Sequence, residues 1–420
     1  MDHRAANRHP SRGQQHQEAD RDRALVADRE GPAALDQRGG EGAGAHAMNR
    51  RIIIALVAAL ASLAIGAGAA AARQPQLHLG SVYAYSGTGA PYGVGQINGE
   101  RLAVRQINAA ARRSGLTVKM DSAAIDSSSD SAIAAVASMI SSGAQAILGP
   151  TLSSQAAAAL PPAVAAKIPS IGVTNATLSL TGLRPYVWRV SAAEDRMIRA
   201  SVDVAHDELG IRTAVIVADP NNGYSAGAEQ SFERAAARSG VTILAVIPCA
   251  TGSDPTAALQ AAAETGAQAI FSGAIGSDPQ AVVTARKTLG LTQLLVGGNG
   301  FNAPDLPGTP GAAGTVVGAS WNAIGANAAS KRFVRSYRRA FKLAPDTFAA
   351  QGFASVELAA AAARAGKGTS AAAIQRGLGR LRRVPTVLGK ITFRSGEARY
   401  PVVVQQVKGG KFVPIARRAG

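Results

Sequence analysis

From Leu77 onward the sequence alternates between short runs that are apolar throughout and longer runs in which apolar residues recur at helical spacing. Residues 77–85 read as a strand, 94–112 as a helix and 117–125 as a second strand. The alternation continues with a helix over 131–141, a strand over 144–148, a helix over 154–166 and a strand over 169–173. After Tyr186-Val187-Trp188-Arg189 a second series begins: helix 197–208, strand 213–218, helix 226–239, strand 241–247, helix 256–264, strand 267–272, helix 279–289 and strand 293–296. Apolar strands separated by helices belong to a parallel sheet covered on both faces. The expected fold class is therefore α/β, with two doubly wound parallel-sheet lobes. Beyond Gly318 come expected helices over 328–341, 347–365 and 371–381, then a hairpin-like pair of strands over 389–393 and 400–407. That order predicts a chain that returns to complete the first lobe and then the second. Lobe 1 is expected over 73–191 and 322–388, and lobe 2 over 192–321 and 389–420.

The first part of the chain has a different character. Residues 1–47 lack apolar periodicity and mix seven Arg with eight Asp and Glu, so they have nothing to bury and are expected to be disordered. At Met48 the pattern changes: Asn49-Arg50-Arg51 is a positive n-region, 52–65 an apolar stretch, and Ala70-Ala71-Ala72 a small-residue cleavage site. This predicts a secretory signal peptide over 48–72 and a periplasmic protein, with 1–47 an over-extended gene start. The alternative is an uncleaved anchor, but the apolar stretch is shorter than the roughly 20 residues that span a bilayer.

Composition narrows the chemistry. At 420 residues, 47% hydrophobic but only 4% aromatic, the chain builds its cores from Ala, Val, Ile and Leu. Cys249 is the only cysteine, which excludes an intramolecular disulfide and a cysteine-rich metal site. The net charge of +17 comes from basic residues that read as scattered singly rather than clustered, so solubility and attraction of anions account for it and no nucleic-acid partner is expected.

Three stretches invite an enzymatic or metal-binding reading. Gly223-Tyr224-Ser225-Ala226-Gly227 matches the G-x-S-x-G nucleophile elbow, but no histidine follows His206, whereas in that hydrolase order the histidine comes after the serine. Gly87-Thr88-Gly89-Ala90-Pro91-Tyr92-Gly93 is one residue too long for a dinucleotide loop, and Asp126 comes too late in the chain for its acidic partner. Asp121, Asp126 and Asp130 flank a serine-rich turn, where Asp130 is expected to cap the following helix rather than hold a metal. What remains is the site doubly wound folds offer by default, outside the carboxyl ends of their strands. There the loops are small and hydroxyl-rich: Ser86-Gly87-Thr88, Gly149 to Ser154, Gly172 to Thr177, and Pro220 to Tyr224. Ser153 and Ser154 open a helix and are placed either to hold a carboxylate or, for Ser153, simply to act as an N-cap.

Several further stretches share one order and spacing: Ser86-Gly87, Gly99-Glu100-Arg101-Leu102-Ala103-Val104, Ala146-Ile147-Leu148-Gly149-Pro150, Ile168-Pro169-Ser170-Ile171, Tyr186-Val187-Trp188-Arg189-Val190, Gly252-Ser253-Asp254 and Gly389-Lys390-Ile391-Thr392-Phe393. In this order they resemble the type I periplasmic substrate-binding proteins of ABC transporters, in particular the leucine/isoleucine/valine-binding branch. The resemblance implies a three-crossing hinge and closure of a monomer around an amino acid or organic carboxylate. It also implies delivery to an ABC permease in the inner membrane, with no cofactor, no metal and no chemistry on the ligand. It assigns the ligand carboxylate to Ser153, with Ser154 beside it, and to the loop Thr174, Asn175 and Ala176. Tyr92 and Tyr224 fall at aromatic positions on the two sides of the cleft. The family's acidic partner for a ligand ammonium falls at Asn299, and a second-lobe tyrosine falls near Ala274. With no charge at Asn299 the ligand is expected to differ from a simple α-amino acid unless Asp219 or Asp305 folds inward. Two other functions stay open: a ligand-sensing regulatory module on the same scaffold, and a hydrolase using Ser225.

Overall fold

In the computed structural model residues 74–324 and 327–419 are described; the leader and expected signal peptide lie outside them. The first sheet carries five parallel strands, β1 (Gln76–Ala84), β2 (Thr117–Ile125), β3 (Ala146–Leu148), β4 (Ser170–Gly172) and β5 (Val187–Arg189), in the order β2-β1-β3-β4-β5. The second repeats that order with β6 (Thr213–Ala218), β7 (Thr242–Pro248), β8 (Ala269–Ser272), β9 (Leu294–Gly297) and β10 (Val316–Ala319), arranged β7-β6-β8-β9-β10. Each sheet thus has a topological switch point, between β1 and β3 and between β6 and β8, where loops diverge and leave a crevice.

Helices α1 (Ala90–Ala109), α2 (Ser129–Ser141), α3 (Ser153–Ala159) and α4 (Pro161–Ala165) connect the first strands, and α5 (Glu194–Asp207), α6 (Gly223–Ser239), α7 (Thr256–Glu264) and α8 (Asp278–Thr288) the second. The single helix expected over 154–166 is two, because Pro161 and Pro162 supply no backbone donor to continue it. Asp130 is not a cap: the Ser128 hydroxyl accepts the Ser131 N–H at 3.2 Å, while Asp126 accepts from Ser128. Helices α9 (Ala328–Phe341), α10 (Thr347–Ala365) and α11 (Ala371–Arg380) return to the first half. There α10 lies backbone to backbone on α1: a Cβ at Gly99 would stand 2.0 Å from the Ala349 carbonyl, and one at Gly352 2.1 Å from that of Gln96.

The end of the chain departs from expectation. Strands β11 (Val384–Thr386), β12 (Gly389–Arg394) and β13 (Glu397–Arg399) extend the first sheet, and only β14 (Val402–Lys408) and β15 (Lys411–Arg418) join the second. Residues 389–399 therefore pair with lobe 1, not lobe 2, and the expected pairing of 389–393 with 400–407 is not made. The reason is local: Ser395 and Gly396, both at positive φ, turn β12 back onto β13, while Gly409-Gly410 folds β14 onto β15.

The chain passes between the sheets after β5, after β10 and at Tyr400-Pro401. The crossings are bonded to one another: the Tyr400 hydroxyl donates to the Val190 carbonyl at 2.8 Å, the Ala192 N–H to Ser320 Oγ at 3.1 Å, and buried Gln351 Nε2 to both Ser191 and Ser320.

Candidate functional site

A cavity, about 280 Å³ when the open space at its mouth is included, lies at the carboxyl ends of both sheets. From the first half come Tyr92, Thr151, Leu152, Ser153, Thr174, Asn175 and Ala176, with Phe348 from α10; from the second come Tyr224, Ile275, Asn299 and Gly300. Among the described residues no carboxylate, amine or guanidinium lines it, and its walls combine aromatic and aliphatic surface with a few hydroxyl and amide groups.

Tyr92 joins the two halves. Pro91 starts α1 early, so Tyr92 falls in its first turn, where the ring packs on Phe348 at a centroid distance of 4.9 Å. Its hydroxyl accepts the Gly276 N–H at 2.6 Å and donates to the Gly300 carbonyl at 3.1 Å, both across the cleft. Burial raises its pKa, so the phenol stays neutral and able to donate.

Tyr224 is set by the start of α6, where the Asn222 side chain accepts from the N–H groups of Tyr224 and Ser225. Its hydroxyl donates to Glu194 Oε1 at 2.9 Å and accepts the Gly300 N–H at 2.9 Å. Glu194, the first residue of α5, is 1% exposed, and the same oxygen accepts the Asn299 N–H at 2.8 Å. Its Oε2 has no hydrogen-bond partner, and burial pushes the carboxyl group up to about 7. Glu194 thus ties Tyr224 to the β9 loop from behind the cavity wall.

On the first side the loops hold one another. Thr174 Oγ1 donates to the Thr151 carbonyl at 2.6 Å, and Asn175 Nδ2 to that of Pro150 at 2.8 Å. Thr151 Oγ1 accepts from Ala84 N and donates to Gln96 Oε1, and Gln96 in turn bonds buried Glu100. Fully buried Arg189 donates to the carbonyls of Ala176 and Thr177 and, on its other side, to Glu397 of β13. The loop 174–177 therefore hangs from a guanidinium anchored in the sheet. Ser153 Oγ faces the cavity, 3.4 Å from the Thr177 N–H.

Of the residues singled out in the sequence, Tyr92, Ser153, Thr174, Asn175, Ala176, Tyr224 and Asn299 line this one cavity. Ser154 does not: one residue further along the helix turns it to the exposed face. Ala274 does not either; it borders a separate hollow with Ser225 and Cys249. Asp219 is occupied by the N–H groups of Asn221 and Thr251, and Asp305 by Gln280, so neither reaches the cavity. Ser225 Oγ accepts the Asp219 N–H at 2.8 Å, and among the described residues it makes no hydrogen bond to a side chain that could act as its base. Asn299 spends its side-chain oxygen on Asn302 and its amide on the Thr174 carbonyl, at 3.4 Å across the cleft.

Glu194, Arg189 and Phe348 were not anticipated. An arginine inside the otherwise apolar Val187-Trp188-Arg189-Val190 was the available signal for one of them. Among the described residues no group of three or more His, Cys, Asp or Glu side chains is placed to hold a metal. Among them, too, no helix is long and apolar enough to cross a membrane.

Two halves of one strand order, joined by three crossings and facing each other across a cavity, define a cleft-type ligand-binding protein. The sequence matches the periplasmic binding protein family over residues 76–411, and the chain belongs to that family. Among solved structures it is similar to the leucine-binding protein LivK of Thermotoga maritima, with TM-score 0.75, 21% identity, and 81% of this chain and 98% of that one covered. It is similar also to the branched-chain amino acid transporter substrate-binding protein LivJ of Streptococcus pneumoniae, solved with isoleucine, at TM-score 0.74 and 23% identity over 82% and 99% of the chains. A third similar structure is an ABC-transporter solute-binding protein of R. palustris in complex with benzoate, at TM-score 0.73 and 22% identity over 82% and 96%. A comparison with curated protein sequences found no match.

Proposed function

We propose that this chain is the periplasmic solute-binding component of an ABC importer, capturing a small carboxylate with an aromatic or apolar body and no ammonium group. The observation that carries this reading is a cavity walled from both halves, bridged by the Tyr92 hydroxyl and, among the described residues, lined by no acidic side chain. An ammonium enclosed there has no facing charge, and an unpaired buried cation is costly. A carboxylate fares better: the Ser153 hydroxyl and neighbouring backbone N–H groups can donate to it, while Tyr92, Phe348, Leu152 and Ile275 cover an apolar body. Of the similar structures, one was solved with benzoate, an aromatic acid without an ammonium group, and another with isoleucine. Release then hands the ligand, chemically unaltered, to a permease in the inner membrane.

A thermal-shift screen tests the reading, because a ligand that binds only the folded form raises Tm by mass action. Benzoate and its hydroxylated derivatives are expected to raise Tm by several degrees, leucine and isoleucine by less, and benzamide not at all. A response confined to sugars or polyamines refutes it.

A further inference from the structure

Read in sequence, the basic residues look scattered; folded, they are not. Between Asp305 and Asp346 the chain has no acidic residue, yet within that stretch α9 carries Lys331, Arg332, Arg335, Arg338 and Arg339, with Lys342 at its C-cap. At about 100° per residue all six fall within roughly a third of the helix circumference. All six are exposed, and none forms an ion pair among the described residues. The opposite face is committed to the core: Phe333 and Tyr337 are 2% exposed and stack in a chain with Trp321, Phe353 and Phe341. Exposed Arg105 of α1 lies over the Phe341 ring at 5.1 Å and widens the cationic surface.

We infer that this face of α9 is an adsorption surface for an anionic lipid bilayer. The chemistry is complementary in charge: an exposed helix face about 20 Å long, bearing flexible cationic side chains, suits a broad, fluid sheet of anionic headgroups. No exposed aromatic side chain alternates with these cations, as stacking on nucleic-acid bases would require. With its apolar side spent on the core, the helix adsorbs without inserting, so binding is electrostatic and screened by salt. The inference goes beyond the importer reading and does not depend on which ligand the cavity takes. Its consequence for an importer component is enrichment at the membrane that houses the permease.

The test is co-sedimentation of the protein, purified after export, with vesicles of phosphatidylcholine alone or with about one third phosphatidylglycerol, in 0.1 M and 0.5 M salt. Binding to the anionic vesicles at least tenfold tighter than to the neutral ones, abolished at the higher salt, is expected. The variant Lys331→Gln/Arg335→Gln/Arg338→Gln/Arg339→Gln is expected to lose most of that binding. The variant Arg382→Gln/Arg383→Gln/Lys390→Gln/Arg394→Gln, equal in charge change and drawn from the exposed cations around β11 and β12, is expected to keep it. Equal losses in the two variants mean that net charge alone drives adsorption, and overturn the inference. Absence of vesicle binding, or binding only when an acidic membrane protein is incorporated, overturns it as well. Unchanged circular dichroism and an unchanged ligand-induced thermal shift in each variant exclude misfolding and separate this outcome from failure of the importer reading.

Discussion

Tyr92→Phe removes one oxygen atom and leaves the ring against Phe348, so it isolates the contact that spans the cleft. Once the halves separate, the Gly276 N–H and the Gly300 carbonyl are hydrated, and the lost hydroxyl costs the open form little. In the closed form both groups stay buried without their partner. A typical hydrogen bond contributes about 1 kcal/mol net, and an unsatisfied buried group costs roughly 1–3 kcal/mol. Together these destabilise the closed, ligand-bound form by about 2–4 kcal/mol, which at 1.4 kcal/mol per decade is roughly a 30- to 700-fold rise in Kd. Calorimetric titration with the best acid from the thermal-shift screen measures this directly, and stopped-flow dissociation should place most of the change in the off-rate. The ligand-free Tm is expected to change by no more than a degree or two. A Kd within twofold of the unsubstituted protein refutes the idea that the Tyr92 hydroxyl holds the closed form.

Ser153→Ala should weaken acid binding about tenfold or more, since a hydrogen bond to a charged group contributes roughly 1.5–3 kcal/mol, and leave the ligand-free Tm unchanged; calorimetry and a melting curve check both. Glu194 gives a pH signature: its folded pKa is raised from 4.5 to about 7, so its contribution to stability is whole below about 4.5 and is lost as pH rises through 7. Glu194→Gln should therefore flatten, though not abolish, the decline of Tm across that interval, because Glu100 and Glu357 are raised to about 7 in the same sense. Gly99→Ala drives a methyl group to 2.0 Å from the Ala349 carbonyl; overpacking costs about 1–3 kcal/mol, and a Tm lower by several degrees is expected in a thermal melt.

The parallel part of both sheets was legible because its central strands are apolar on both faces and its helices keep their spacing. Short strands at the end of the chain were not. Val384–Thr386 contains a proline, Glu397–Arg399 bears charge at both ends, and the pairing of each is decided by turns such as Ser395-Gly396. Among cavity residues, those in loops directly after apolar strands were readable, as with Ser153 and Thr174 to Ala176. Phe348 was not, since it arrives from a helix near the far end of the chain and reads locally as core. Glu194 reads as a helix-start acid, which it also is; only folding sets its carboxyl group against Tyr224 and the Asn299 backbone. The arginines of α9 looked dispersed because helical spacing interleaves them with buried residues, and the wheel regroups them on one face.

The whole account depends on two halves that move together over a small acid, and small-angle X-ray scattering during a titration observes that motion directly. The prediction is a radius of gyration that decreases on adding the acid that gives the largest thermal shift, and that stops changing at one equivalent. A scattering curve that stays the same while calorimetry reports a fully occupied site would contradict it.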